Sequence, residues 1–181
     1  MNTPDGKIDL HVHYLPRAYR EALAQAGADQ DRFPPPDWNT EMHLAFMEAM
    51  HIATAMLSVS SPHLNFGDDA AARVLARQAN EEGAAVARKY PGRFGLLASL
   101  PLPDVDGSIA EIAYALDTLQ ADGFTMPTNA CGVYLGDPRL DLVFAALNRR
   151  RAVVVIHPTK PSLVPPNVAE RVPIPMMEFL F

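Results

Sequence analysis

The stretch Lys7-Ile8-Asp9-Leu10-His11-Val12-His13 decides the fold of this chain. Apolar Ile8, Leu10 and Val12 alternate with polar residues, which predicts a strand because side chains two apart share one face. We expect the apolar set to pack against a neighbouring layer, while both imidazoles point to the opposite face. Pro16 follows closely and cannot donate to a strand ladder, so the strand should end before it.

The two imidazoles of this strand are a candidate metal site. His11 and His13 share one face near the strand end, where two ring nitrogens can bind one ion. The spacing alone leaves a purely structural histidine pair open as the alternative, because such pairs also occur on solvated strands.

Length and composition limit the classes of protein that this chain can belong to. With 181 residues it is long enough for one sizeable domain. A net charge of -6 argues against a nucleic-acid groove, which needs clustered Lys and Arg.

Cys131, the single cysteine, excludes an intrachain disulfide framework, and we expect it to be a buried, unreactive thiol. No apolar run near 18 residues and no signal-peptide core occur, so we expect a cytoplasmic protein without a membrane partner.

Apolar runs and helical stripes alternate five times along the chain. Such alternation predicts parallel strands joined by helical crossovers. The predicted strands are 7–13, 52–60, 93–100, 124–126 and 152–156. Two of the five predicted helices cover 17–27 and 70–89. The other three are a helix capped by Thr40, a helix capped by Asp106 or Ser108 and ended by Gly123, and a helix capped by Asp137. Two architectures remain open, an open doubly wound sheet and a (β/α)8 barrel.

The helix after Thr40 carries three methionines at helical spacing. Met42, Met47 and Met50 are predicted to pack in the core.

The positions of four histidines favour the barrel. No G-x-G-x-x-G follows the first strand, as an open dinucleotide-binding sheet would need. In barrels, functional residues lie at the carboxyl ends of the strands. His11, His13, His63 and His157 all lie at or just after predicted strand ends, which also strengthens the metal hypothesis.

Six short motifs are distributed along the chain. They are Ile8-Asp9-Leu10-His11-Val12-His13, Ser60-Ser61-Pro62 with Phe66-Gly67-Asp68, Pro91-Gly92-Arg93-Phe94, Leu100-Pro101-Leu102-Pro103, Tyr134-Leu135-Gly136-Asp137-Pro138 and His157-Pro158-Thr159. Together they resemble the amidohydrolase superfamily, in the branch of aminocarboxymuconate-semialdehyde, 6-methylsalicylate and resorcylate decarboxylases. This resemblance implies a (β/α)8 barrel, of which this chain contains about the first five β/α units.

The resemblance also implies a metal centre. His11, His13 and His157 are its implied ligands. Two-metal members of the superfamily end the fourth strand with a carboxylated Lys or a Glu, and neither is present here. We therefore expect one divalent ion, Zn2+ with Mn2+ as the alternative.

The remaining family residues, an Asp ligand and a catalytic His, are expected beyond residue 181, so the catalytic residues are not identified. Residues 1–181 are predicted to be the N-terminal part of one barrel domain, without strands six to eight. A barrel of this kind takes about 250 residues. We expect such a piece to be inactive alone and poorly soluble or dimeric, because its sheet edges are unpaired.

The implied activity is non-oxidative decarboxylation of a small aromatic or enoic carboxylic acid by a homo-oligomeric, dimeric enzyme. His63, Thr128 and Asn129 are candidate substrate-binding residues, with local hydrogen bonding as the alternative role. A metal-dependent hydrolase such as a lactonase and a non-catalytic metal-binding fragment remain alternative functions.

Overall fold

Strands and helices alternate along the chain as the sequence pattern predicts. A computed structural model describes residues 6–28 and 36–161. Its strands are β1 (Lys7–His13), β2 (Ile52–Ser58), β3 (Phe94–Ser99), β4 (Gly123–Pro127), β5 (Asn129–Ala130), β6 (Val133–Tyr134) and β7 (Val154–His157). Its α-helices are α1 (Arg17–Ala26), α2 (Thr40–Met50), α3 (Asp69–Lys89), α4 (Val105–Asp117) and α5 (Asp141–Arg149), with a 3-10 turn at Pro138–Leu140 before α5.

The main sheet is curled. Its order is β1-β2-β3-β4-β7, and every neighbouring pair is parallel. In a flat sheet the first and last of five strands would lie about 19 Å apart, at about 4.8 Å per step. Here the Nε2 atoms of His13 on β1 and His157 on β7 are 3.0 Å apart. The five strands therefore form a half-barrel, which confirms the partial (β/α)8 prediction and excludes the open sheet.

Strand β1 has the predicted bounds but carries a bulge. Asp9 pairs with Ala55 and Val12 with Leu57, so β1 has one residue more than β2 between these pairs. The Asp9 carboxylate accepts the His11 backbone N–H instead.

The predicted apolar face of β1 is only partly buried. Val12 is buried, but Ile8 and Leu10 are 64% and 58% exposed. The expectation that all three pack against a layer was wrong, because β1 contacts chiefly β2 and no described helix packs extensively on it.

Helix α3 packs closely on β3 because small residues line its inner face. Ala72, Ala76, Ala79 and Gly83 are all buried there. A Cβ at Gly83 would lie 2.7 Å from both Leu96 Cδ1 and the Tyr14 hydroxyl oxygen. The glycine therefore lets β3 and the segment after β1 approach the helix.

A buried polar network joins α3, β3 and α4. The Asn80 amide accepts from the Ser99 backbone N–H at 2.8 Å and donates to the Ser99 carbonyl oxygen at 2.9 Å. Its Nδ2 also donates to Glu111, which Arg77 contacts from the other side. These contacts fix the carboxyl end of β3 against two helices.

Helix α2 differs from the sequence prediction at its cap and in its core. Its N-cap is Asn39, whose side chain accepts the Met42 backbone N–H, whereas Thr40 is the first helical residue. Met47 is fully buried, but Met42 and Met50 are 57% and 47% exposed. Only one narrow stripe of this helix faces the sheet, so the prediction of three core methionines was wrong for two of them.

Helix α4 begins two to four residues earlier than predicted. Its N-cap is Asp104, which accepts the Gly107 N–H and pairs with Arg73, so the assignment of the cap to Asp106 or Ser108 was wrong. The left-handed turn after the helix lies at Gln120. The side-chain amide of Gln120 donates to two terminal carbonyl oxygens of the helix.

Gly123 was wrongly predicted to end α4. It begins β4, where a Cβ would lie 2.7 Å from the Val153 carbonyl oxygen. The last strand begins at Val154 and includes His157, so it lies one to two residues later than predicted. The small β5–β6 hairpin was not predicted. Within the described residues, no helix combines the length and hydropathy that a bilayer crossing requires.

Candidate metal centre

Three histidines from the two edge strands converge at the carboxyl end of the half-barrel. His11 and His13 come from β1, and His157 is the last residue of β7. The Nε2 atom of His13 lies 3.0 Å from the Nε2 atoms of both other rings. One ligand atom from each residue lies within 4.8 Å of the others, so this triad could hold a metal ion.

A hydrogen bond to Ser58 orients the His13 ring. The Ser58 hydroxyl donates its only proton to the Val12 carbonyl oxygen at 3.0 Å. Its oxygen therefore accepts from His13 Nδ1–H, at 3.4 Å. Nε2 of His13 is then left with a lone pair that points toward the other two rings, as metal ligation requires.

Burial keeps two rings of the triad neutral. The pKa of His13 is lowered to about 4, chiefly by burial, and His157 and His11 add to the effect. Burial and the neighbouring His11 also lower the pKa of His157 to about 4. Both rings are therefore unprotonated at neutral pH and can offer lone pairs to a cation.

The triad fits a transition-metal ion. Imidazole nitrogens about 2.0–2.1 Å from one zinc ion lie roughly 3 Å from each other, and the observed Nε2 separations from His13 are 3.0 Å. Three nitrogen ligands with open coordination positions are typical of a catalytic site, whereas structural zinc sites have four protein ligands.

His63 lies beside the triad but outside it. Its ring centroid is 5.7 Å from that of His157, and the side chain is 5% exposed. Burial lowers its pKa to about 3, with His157 and His13 adding to the effect. Its Nε2 atom is buried and has no hydrogen-bond partner among the described residues.

Thr128 and Asn129 tie the end of β4 to the segment after β7. The Thr128 hydroxyl accepts the Thr159 backbone N–H at 3.2 Å. The Asn129 amide donates to the Lys160 carbonyl oxygen at 3.1 Å. Both residues lie at the predicted end of the barrel, and these hydrogen bonds give each of them a local structural role.

A cavity of about 460 Å3 lies at the same end of the half-barrel as the triad, within the size range of small-molecule sites. His63 lies in its wall, and the other lining residues follow β2, β3, β4 and β7. The lining includes Lys160 and, among the described residues, no Asp or Glu. The wall is therefore suited to an anionic ligand with an apolar body.

Cys131 differs from the sequence prediction. It is exposed at the rim of this cavity, with a left-handed backbone, because it lies in the short β5–β6 turn. Partial burial and the Asp69 carboxylate raise the pKa of its thiol, so the thiol is exposed but not activated.

Sequence reasoning missed the polar residues that surround the candidate site. Ser61 and Thr159 join their hydroxyl oxygens at 2.6 Å across 98 residues, and Ser58 holds His13. Ser61 and Thr159 belong to two of the motifs quoted for the family resemblance, and Ser58 lies inside a predicted strand, but nothing in the sequence assigns hydrogen bonds to these residues.

Fold and site together define a half-barrel of the amidohydrolase type with a histidine triad that could hold a metal ion. The model of the Amidohydrolase family matches residues 8–179, and this chain belongs to that family. The chain is similar to 6-methylsalicylic acid decarboxylase of Aspergillus aculeatus, with 41% identity over 160 residues. The match covers 86% of this chain and 48% of the relative. The chain thus spans about half the length of the curated relatives it matches, and the predicted resemblance to the decarboxylase branch is confirmed.

Two solved structures support the fold. A crystal structure of an amidohydrolase II superposes with a TM-score of 0.91 at 42% identity, over 96% of this chain and 57% of the other. The 5-carboxyvanillate decarboxylase of Novosphingobium aromaticivorans, solved with manganese and a nitrobenzoic acid, superposes with a TM-score of 0.83 over 98% of this chain and 61% of the other. At 23% sequence identity, the likeness to this structure supports the fold alone.

Proposed function

We propose that this chain is the metal-binding part of a metal-dependent, non-oxidative decarboxylase. Its substrate is an aromatic or enoic carboxylic acid with a hydroxyl or amino group next to the carboxylate. The observation that carries the proposal is the three-histidine cluster beside a cavity whose described lining contains a cation and no carboxylate. The similarity to a 6-methylsalicylic acid decarboxylase supports this choice of reaction.

His11, His13 and His157 hold one divalent ion. Imidazole ligands suit zinc, and we propose Zn2+ with Mn2+ as the alternative, since a solved decarboxylase of the same fold contains manganese. When bound, the ion supplies a Lewis acid and a template for the carboxylate and its neighbouring oxygen.

The cavity holds the body of the acid. Lys160 gives its rim a positive charge, while Leu100 and Leu102 offer apolar surface to a ring or alkene. Asn129 also lines the cavity, and Thr128 holds the segment that carries Lys160. In this arrangement His63, Asn129 and Thr128 form or support the substrate side of the site.

The proton donor for the reaction lies outside the described residues. Loss of CO2 leaves an electron pair on carbon, which a general acid must protonate. The lowered pKa values of His13, His63 and His157 make these rings poor acids at neutral pH. The matched curated relatives are about twice as long as this chain. In this proposal the general acid comes from a part of the whole protein outside the described residues.

Metal content is the first test of the proposal. We expect about one ion per purified chain, and its loss in His13→Ala and in His157→Ala. His51→Asn is the matched control, because His51 is an exposed histidine with a left-handed backbone that Asn tolerates. Equal metal content in all four proteins would exclude the triad as the ligand set.

Product analysis then separates the candidate reactions. The whole protein is supplied with ortho-hydroxy and ortho-amino aromatic acids, enoic acids and lactones, and release of CO2 and ring opening are both measured. We expect CO2 release. Ring opening alone would assign a hydrolase, and neither product in a metal-loaded protein would assign a non-catalytic role.

Exposed edges favour association of two copies of this chain when it is purified alone. Ile8 and Leu10 on β1, and Val153 and Ile156 at β7, are more than half exposed. Unpaired edges with apolar side chains favour association. We expect light scattering after size exclusion to give a dimer mass, and a monomer at high concentration would exclude this assembly.

A further inference from the structure

His63 stands at the border between the histidine triad and the cavity. Its ring lies in edge contact with the ring of His157, with centroids 5.7 Å apart. The same residue forms part of the cavity wall. Among the described residues, His11, His13 and His157 do not line that cavity, so His63 connects the two parts of the site.

The segment that carries His63 is held in place. His63 has a left-handed backbone, with φ at 64°, which is uncommon for a residue with a side chain. Its N–H donates to the Ser60 carbonyl oxygen at 3.0 Å. Ser61, two residues earlier, is bonded to Thr159 after β7. Contacts on both sides thus fix the ring beside the triad.

The Nε2 atom of His63 has an unmet hydrogen-bonding capacity. It is buried and lacks a partner among the described residues, and a buried polar group without a partner is unfavourable. The triad nitrogens lie within 4.8 Å of one another, and His63 is not part of that group. His63 therefore lies outside the ligand group, and its unpartnered Nε2 atom leaves one hydrogen bond of the ring to be made.

The expected pose of an acid identifies the atom at this border. With its carboxylate on the triad ion and its ring in the cavity, the atom between them belongs to the substituent next to the carboxylate. We propose that His63 is a specificity-determining residue that hydrogen-bonds an oxygen substituent ortho to the carboxylate. This inference rests on the proposed function and adds to it the residue that selects hydroxy acids over unsubstituted acids.

A pair of simple acids tests this assignment. Dissociation constants of salicylate and benzoate are measured by calorimetry on the zinc-loaded chain and on two variants. His63→Leu fills the space without a polar atom, and His63→Asn is too short but tolerates the left-handed backbone. Zinc content and thermal melting of each protein are measured alongside.

We expect the preference for salicylate over benzoate to fall about tenfold in both variants, with zinc content unchanged. A tenfold change corresponds to about 1.4 kcal/mol, close to the value of one buried hydrogen bond. Benzoate provides the internal control, because general damage to the site weakens both acids equally.

Other outcomes overturn the assignment in distinguishable ways. Equal weakening of both acids, or unfolding of both variants, would assign His63 a structural role. Loss of zinc from the variants would make His63 part of the metal centre. Equal affinity of the unmodified chain for both acids would overturn the selection while leaving the metal site intact. Failure of the unmodified chain to bind zinc would remove the proposed function itself.

Discussion

Replacing Asn80 tests how the carboxyl end of β3 is fixed. The fully buried Asn80 amide makes two hydrogen bonds to the backbone of Ser99 and one to Glu111. Asn80→Ala leaves the Ser99 N–H, its carbonyl and one carboxylate oxygen without this partner. Each such buried group costs about 1–3 kcal/mol.

These costs do not add fully, because neighbours relax and Ala favours the helix by several tenths of a kcal/mol. We therefore expect the free energy of unfolding to fall by about 3–4 kcal/mol.

Urea denaturation followed by circular dichroism measures this loss. Asn80→Asp keeps the acceptor for the Ser99 N–H but places an oxygen against two other oxygens, so its loss should be at least as large. Gln78→Ala, at an exposed position of the same helix, is the matched control and should change stability by less than about 0.5 kcal/mol. A loss below about 1 kcal/mol in Asn80→Ala would refute the view that this network holds the strand end.

Three further outcomes follow from the contacts of single residues. Met47→Ala should cost about 2–5 kcal/mol in urea denaturation because the side chain is fully buried, whereas Met42→Ala on the same helix should cost under about 0.5 kcal/mol. Asp104→Ala should lower the melting temperature through loss of the α4 cap, worth about 0.5–2 kcal/mol, and an equal effect of Asp106→Ala would contradict the observed cap. The pKa of His63 is lowered to about 3 in the folded metal-free chain, so the unfolded chain binds more protons below about pH 6.5. The contribution of His63 to the free energy of unfolding should therefore be complete above that pH and fall as the pH decreases toward 3. Between pH 6.5 and 4.5, the free energy of unfolding of His63→Asn should decrease by about 2–3 kcal/mol less than that of the unmodified chain. Parallel curves of stability against pH would contradict this reasoning.

The alternation of strands and helices could be predicted because it depends on local periodicity. The strand Lys7–His13 and the helix Arg17–Ala26 follow from their own residues. The convergence of His11, His13 and His157 could also be anticipated, since parallel strands of a barrel present their carboxyl ends at one rim.

Other features depend on choices that local sequence leaves open. The start of α4 offers three good N-cap residues, Asp104, Asp106 and Ser108. The structure uses Asp104, which also pairs with Arg73 of α3. The exposure of Met42 depends on which narrow stripe of α2 meets the sheet. Such outcomes require the tertiary arrangement.

Hydrogen bonds between distant segments were equally beyond the sequence. The Ser61–Thr159 bond and the bond from Asn129 to Lys160 join loops 98 and 31 residues apart. No spacing rule connects these residues, because they meet only when the strands that precede them are aligned side by side.

The meeting of His13 and His157 has a consequence for folding kinetics. The two residues are 144 positions apart, and closing a flexible loop of that length costs about 4 kcal/mol in chain entropy. A ligand that bridges them gains little from the unfolded chain and binds only after both edge strands are in place. We expect saturating zinc to slow unfolding, with little effect on the rate of folding. The ion would then bind late in folding and lengthen the lifetime of the folded half-barrel.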